Sequence, residues 1–442
     1  MELHSDGNDG IDLESWIARQ AQRSASAMEK AISATQLVRR REAFGQTIAP
    51  VKGSVLASPE IADWSPEPDY FFHWLRDSAI VMRSVAGLMQ DAPSDAERDR
   101  WRRHFNDFII FSLSLGARTD FDPEQSRQAT SRECRKFLRT PAELRAVSGD
   151  RLLGEPRFNP DGTIDIFRWA RPQYDGPALR ALACLSFLAA GAPRTDALAR
   201  LLRMDLNFTV RHAGRRCVGP WEERNARHYY VALVQLGALV HGRDWAEDVE
   251  TWSRAERRLR ADLDRYWSEQ HQIYIAARPA GSDNADDLVD AAELLAVLDA
   301  DLSEGRHSVA DPRVQRTQKR IEDMFAREFP INQQRGPGEA PAIGRYRGDK
   351  YFGGGAWYPT TLAAASLCYR LAQHPNEDRA ALIRRGDAFM ATIRALTPDE
   401  GALSEQVDRV TGAQTSARNL TWSYAAFIGA ARLRTRALGA HG

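Results

Sequence analysis

Residues 68–89, PDYFFHWLRDSAIVMRSVAGLM, change character at Asp77. Before it, Tyr70, Phe71, Phe72 and Trp74 crowd aromatic rings beside the charged Arg76–Asp77 pair. After it, Ala79, Val81, Met82, Val85, Ala86 and Met89 recur at the spacing of a helix with a buried face. A loop rich in aromatic and charged groups therefore feeds a helix start.

The same pattern repeats along the 442 residues. Apolar spacing predicts helices over 13–34, 77–89, 101–115, 176–190, 229–240 and 252–267. It predicts five more over 291–302, 314–329, 357–372, 378–396 and 419–438. Strand-like alternation is confined to short stretches such as 53–57 and 274–277. Three long loops, 52–74, 153–175 and 335–355, each lead into a helix start. Loops longer than about 12–15 residues are uncommon unless they bind or catalyse. No glycine- or serine-rich linker divides the chain. One all-α domain over 1–442 is expected, with 1–11 as a flexible tail and a concave site built from loops at one end of the helices.

Composition narrows the partners. Sixty Lys and Arg balance sixty Asp and Glu, which disfavours nucleic acid or an anionic membrane as the main partner. No stretch approaches the roughly 18 apolar residues of a membrane span. The N-terminal MELHSDGNDGIDLESW has neither the basic nor the apolar region of a secretory signal. A soluble, cytoplasmic protein is the expectation, with its oligomeric state open. Eleven tryptophans fill the core or stack on sugar rings. Cys134, Cys184, Cys217 and Cys368 show no CxxC spacing, and free thiols are expected rather than a disulfide framework or zinc site.

Four segments carry groups suited to chemistry. In the first, the Arg76–Asp77 pair beside aromatics supplies the parts of a sugar pocket, or a charged helix start. The second, WARPQYDGP at 169–177, places Asp175 to cap the following helix and Pro177 in its first turn. The third, GPWEERN at 219–225, sets two carboxylates behind a tryptophan. They form a solvated first turn, or a general acid kept protonated by an apolar ring and a second negative charge. The fourth joins LSEQ at 403–406 to TSARNLTWSY at 415–424, an exposed glutamate or a catalytic one. Local chemistry leaves each choice open.

Taken in this order, these segments resemble the glucoamylase family, the inverting exo-α-glucosidases of glycoside hydrolase family 15. Leu13-Glu14-Ser15-Trp16, Leu153-Gly154-Glu155-Pro156, Arg171-Pro172-Gln173 and Gly344-Arg345-Tyr346 extend the match over nearly the whole chain. The resemblance implies an (α/α)6 barrel, with Glu222 as general acid and Glu405 as general base. It implies that Tyr70 holds the attacking water, that Arg76 and Asp77 grip the terminal glucose, and that Trp74, Trp169 and Trp422 wall the pocket. Trp221, Glu223 and Arg345 join the substrate-binding set, the last two around the scissile bond and the next sugar, and Ser416 lies near the base. The substrate implied is an α-glucan or gluco-oligosaccharide, α-1,4-linked foremost, with no metal or organic cofactor. An α-1,6-specific or trehalose-cleaving member, or a non-catalytic sugar-binding protein on the same scaffold, are the alternatives. Soluble oligosaccharides are expected over raw granules, because no appended starch-binding module is evident. Gly219-Pro220, Gly353-Gly354-Gly355-Ala356 and Asn419 depart from the family's usual residues. The first two are expected on the leaving-sugar side, where they leave linkage preference open.

Overall fold

A computed structural model describes residues 12–116, 122–278, 284–333 and 335–439. The tail expected at 1–11 lies outside them. Among the described residues, twelve helices run nine residues or longer. They are α1 Leu13–Lys30, α2 Leu75–Gln90, α3 Asp95–Ser114, α4 Asp175–Ala189, α5 Asp196–His212 and α6 Tyr229–His241. The second half holds α7 Val249–Asp264, α8 Ala292–Ala300, α9 Pro312–Glu328, α10 Tyr358–Leu371, α11 Arg379–Ala395 and α12 Thr421–Gly439.

The even-numbered helices form a closed inner ring, α2 against α4, α6, α8, α10, α12 and back to α2. The odd-numbered ones wrap it, α1 on α12, α5 on α4, α7 on α6 and α11 on α10. This is an (α/α)6 barrel. Sequence sets the layer of each helix. Inner α6 buries Tyr229 to Leu239 without a break, as a helix apolar on every side must. Outer α7 buries only Trp252, Ala255, Glu256, Leu259 and Leu263, one stripe at helical spacing. One contiguous core runs from Trp16 to Ala437.

Helix α5 is absent from the sequence-based reading. Its buried stripe is interrupted by Asp205 and Thr209, and the interruption is neutralised from outside the helix. Arg180 on α4 reaches Asp205 through Nε at 2.8 Å and Nη2 at 2.7 Å. The strand expected over 53–57 reduces to one bridge, Val55 to Ile32. The stretch 274–277 divides between two short strands, Ile273–Tyr274 and Ala277–Arg278, in different sheets. Cys184 and Cys368 are buried within α4 and α10, and all four cysteines are free.

The three long loops end at α2, α4 and α10, so their last residues gather at the N-terminal ends of inner helices. Short pairings fix them there. His73–Trp74 pairs with Arg157–Phe158, and Ala356–Trp357 pairs with Gln406–Val407.

Candidate active site

Each loop is anchored by buried ion pairs before it presents anything to the site. Asp69 accepts from Arg41 Nε at 2.8 Å and from the Phe71 amide at 3.1 Å, which sets the direction of Tyr70. Glu155 takes both terminal nitrogens of Arg139 at 3.0 Å and Arg171 Nε at 2.9 Å, tying the two ends of the second loop. Arg157 pairs with Asp165 at 2.8 Å, and its guanidinium lies 4.8 Å from the Trp74 ring and 3.8 Å from the Trp169 ring. It clamps two of the predicted wall residues from behind, a cation–π arrangement that no local sequence signal announces.

Glu222 sits where these loops meet. Its Oε1 accepts from Trp74 Nε1 at 2.9 Å, Gln173 Nε2 at 2.8 Å and Arg76 Nη2 at 3.2 Å. Its Oε2 accepts from Trp169 Nε1 at 2.5 Å. One of the two sequence-based readings places an apolar ring and the charge of Glu223 beside this carboxyl. The structure corrects both points. Glu223 turns away to Arg345 Nη2 at 2.9 Å and to the Tyr346 hydroxyl. Trp221 packs edge-on against Trp357 at 5.4 Å, and the tryptophans that do meet Glu222 present their N–H groups. Glu222 also holds a left-handed backbone, φ 65°, a conformation that costs a non-glycine residue about 1–3 kcal/mol and concentrates at functional sites.

Arg76 and Asp77 are neighbours in sequence but hold only a long contact with each other. Arg76 Nη1 binds Asp175 Oδ2 at 2.7 Å and Gln173 Oε1 at 3.0 Å, while Asp77 Oδ2 lies 3.8 Å from Nε. Asp175 is therefore not a helix cap: it is the first residue of α4, makes no capping bond, and anchors Arg76 instead. Burial, aided by Glu222 and Asp175 and opposed by Arg76, pushes Asp77 up to about 7.

Glu405 stands beyond Tyr70 and Trp74 from Glu222. The hairpin of Gln406–Val407 with Gln414–Thr415 pairs Gln406 with Thr415, so the next residues outward, Glu405 and Ser416, meet. Ser416 donates to Oε2, and Tyr70 donates to Oε1 at 3.1 Å. Tyr351 reaches the Tyr70 hydroxyl at 2.7 Å. With Tyr70 spending its one proton on Glu405, Tyr351 is the donor to Tyr70. Burial raises Glu405 to about 7, against the lowering bonds from Ser416 and Tyr70 and the charge of Arg345. The Tyr70 ring packs on Trp74 at 5.1 Å. Glu405, Tyr70, Trp74 and Glu222 thus form one continuous line.

Arg345 closes the remaining side, with Asp349 accepting from Nε at 2.7 Å and Glu223 from Nη2. A cavity of about 220 Å³ beside Glu222 is lined by Gly219, Pro220, Trp221, Glu223, Asp290 and Tyr346, among others. Trp422 is buried at the start of α12 and meets Trp357 edge-on at 6.4 Å. Gly219-Pro220 lines the same cavity as Glu223. Gly354 and Gly355 pack against the Asp349 and Val407 carbonyls, where a Cβ would lie 1.9 Å and 2.0 Å away, so this segment runs between the Arg345–Asp349 pair and the strand that follows Glu405. Asn419 bridges Glu60 and Tyr424. Sequence reasoning assigns no site role to Gln173, Asp175, Tyr351, Asp290 or Trp357. Gln173 and Asp175 stand in a quoted segment, and the rest depend on loop packing.

The chain matches a sequence model of the glycosyl hydrolases family 15 over residues 41–386 and 379–432. It is 25% identical to a glucoamylase of Blastobotrys adeninivorans over 86% of its own length, and 26% identical to glucoamylase 1 of Rhizopus oryzae over 82%. It spans 67% of the length of the first and 64% of the second. Among solved structures, the glucoamylase of Saccharomycopsis fibuligera superposes with a TM-score of 0.75 at 22% identity, covering 100% of this chain and 99% of that one. The Hormoconis resinae glucoamylase gives 0.75 at 24% identity, covering 97% and 74%. These structural likenesses speak for the fold.

Proposed function

The chain belongs to the glycosyl hydrolases family 15, and on that footing we propose that it is an inverting, exo-acting α-glucosidase. It releases β-glucose from the non-reducing ends of α-glucans or oligosaccharides, with α-1,4 linkages preferred. The observation that carries this reading is the line Glu405–Tyr70–Trp74–Glu222, which joins two glutamates from separate loops through two adjoining aromatic side chains.

In the proposed mechanism Glu222 protonates the departing glycosidic oxygen. Glu405 draws a proton from water on the other face of the sugar, and that water attacks an oxocarbenium-like carbon. Inversion calls for carboxyl groups about 6.5–9.5 Å apart. The Tyr351–Tyr70 chain and Ser416 orient Glu405. Arg76 and Asp77 hold the hydroxyls of the terminal glucose, with Trp74, Trp169 and Trp422 as walls. Trp221, Glu223 and Arg345 receive the leaving sugar.

One observation favours a second reading, with the two roles exchanged. Glu405 is the carboxyl pushed up to about 7, whereas Glu222 accepts from four donors. α-Glucosyl fluoride separates the readings, because its leaving group needs no proton. If Glu222 is the acid, Glu222→Gln keeps most activity on the fluoride and Glu405→Gln loses it. The opposite result exchanges the roles. Linkage is tested by kcat/KM on maltotriose, isomaltotriose and trehalose. Maltotriose is expected to lead, and a lead by either of the others overturns the α-1,4 preference.

A further inference from the structure

Beyond Glu223 the chain enters a strand, Asn225–His228, that pairs with Cys217–Val218 on one side and with Ala277–Arg278 on the other. The register sets Arg227 directly opposite Arg278. Residues so placed project from one face of the sheet, and like charges there repel. Beside them lies a cavity of about 290 Å³, near the small end of ligand pockets, about 300–1,000 Å³. Its lining also carries Arg215, Arg216 and Arg265, with Tyr266 and Val231 supplying an apolar surface.

Five arginines thus line a pocket whose lining holds a single carboxylate, Asp262. That carboxylate is already engaged, by Arg265 at 3.2 Å and by Arg258 at 3.8 Å. Arg216 donates to the Asn225 carbonyl and Arg278 to the Arg265 carbonyl. Among the described residues, no carboxylate forms an ion pair with Arg215, Arg216, Arg227 or Arg278. Part of this charge has a structural task. Arg215 and Arg216 follow the C-terminal end of α5, and Arg265 caps α7, where cations offset the helix dipole. That task does not extend to Arg227 and Arg278, which stand on strands. In a chain with zero formal net charge, so local an excess of arginine calls for an anion.

We propose that this pocket binds a phosphate monoester. Guanidinium forks pair bidentately with phosphate oxygens, and several of them suit a doubly charged group. His228 walls both this pocket and the cavity beside Glu222. The ester therefore arrives either on a glucan chain that also reaches Glu222 or as a small free sugar phosphate. The inference stands on the pocket and does not require the proposed reaction.

The test is calorimetric titration of the full chain with glucose 6-phosphate and with orthophosphate, repeated on Arg227→Gln/Arg278→Gln. Saturable binding that rising salt weakens, and that the double variant weakens roughly tenfold or more at an unchanged melting temperature, is expected. Glucose alone should not reproduce it. The two sources are separated by hydrolysis of phosphorylated and unphosphorylated maltodextrin. Loss confined to the phosphorylated dextrin in the double variant places the phosphate on the substrate. Equal rates on both dextrins, with binding still lost, make it a free ligand. Failure of the wild type to bind either probe saturably, or equal binding by the double variant, overturns the proposal.

Discussion

Nη2 of Arg76 lies 3.2 Å from Oε1 of Glu222, and the guanidinium is held there by its other terminal nitrogen, 2.7 Å from Asp175. Asp175 is fully buried at the first position of α4. Replacing Asp175 by Asn keeps the shape and removes the charge that anchors Arg76. A charge-assisted bond of about 1.5–3 kcal/mol corresponds to roughly 10–100-fold in rate. Asp175→Asn should lower kcat/KM within that range, measured alongside a melting curve showing that the fold is kept.

Ser416 and Tyr70 both donate to Glu405, and both bonds lower its pKa from where burial would set it. A base works only when ionised, so with Glu405 raised to about 7 activity should fall as pH drops through that value. Ser416→Ala and Tyr70→Phe each remove a bond that favours the ionised form. The acidic limb of the kcat/KM profile, which reports the free enzyme, should move to higher pH in both variants. A limb that stays in place or moves down would contradict the role given to Glu405.

Arg180 and Asp205 are almost wholly buried and meet through two bonds. Removing one partner leaves an uncompensated charge, at about 3–5 kcal/mol. Arg180→Ala should therefore lower denaturant stability by that order. The site itself contains neither residue, so folded protein at low temperature should retain its kcat.

Gly355 faces the Val407 carbonyl so closely that a Cβ would stand 2.0 Å away. Gly355→Ala must push the segment off the strand that follows Glu405. We expect a lower melting temperature together with a loss of kcat, a combination that a purely peripheral loop would not give.

Eleven of the twelve long helices are legible from apolar spacing, because inner and outer helices alike bury residues at helical intervals. Helix α5 escapes because Asp205 stands in its buried stripe and is satisfied only by Arg180, sixteen positions before the helix begins. The quoted segments also contain both glutamates and their nearest donors. Direction is what the chain does not disclose. Whether Asp175 caps a helix or anchors Arg76, and whether Glu222 meets the face or the N–H edge of a tryptophan, depends on how three loops pack. Tyr351 is hidden for the same reason. It reaches Tyr70 across 281 positions of sequence.

Inversion at the carbon released between Glu222 and Glu405 is the central consequence of the proposed roles. Proton NMR of the anomeric signals in the first minutes of maltotriose digestion addresses it directly. β-Glucose appearing first, with α-glucose following only through mutarotation, is the predicted result. α-Glucose appearing first would mean a retaining mechanism and would contradict the roles given to both glutamates.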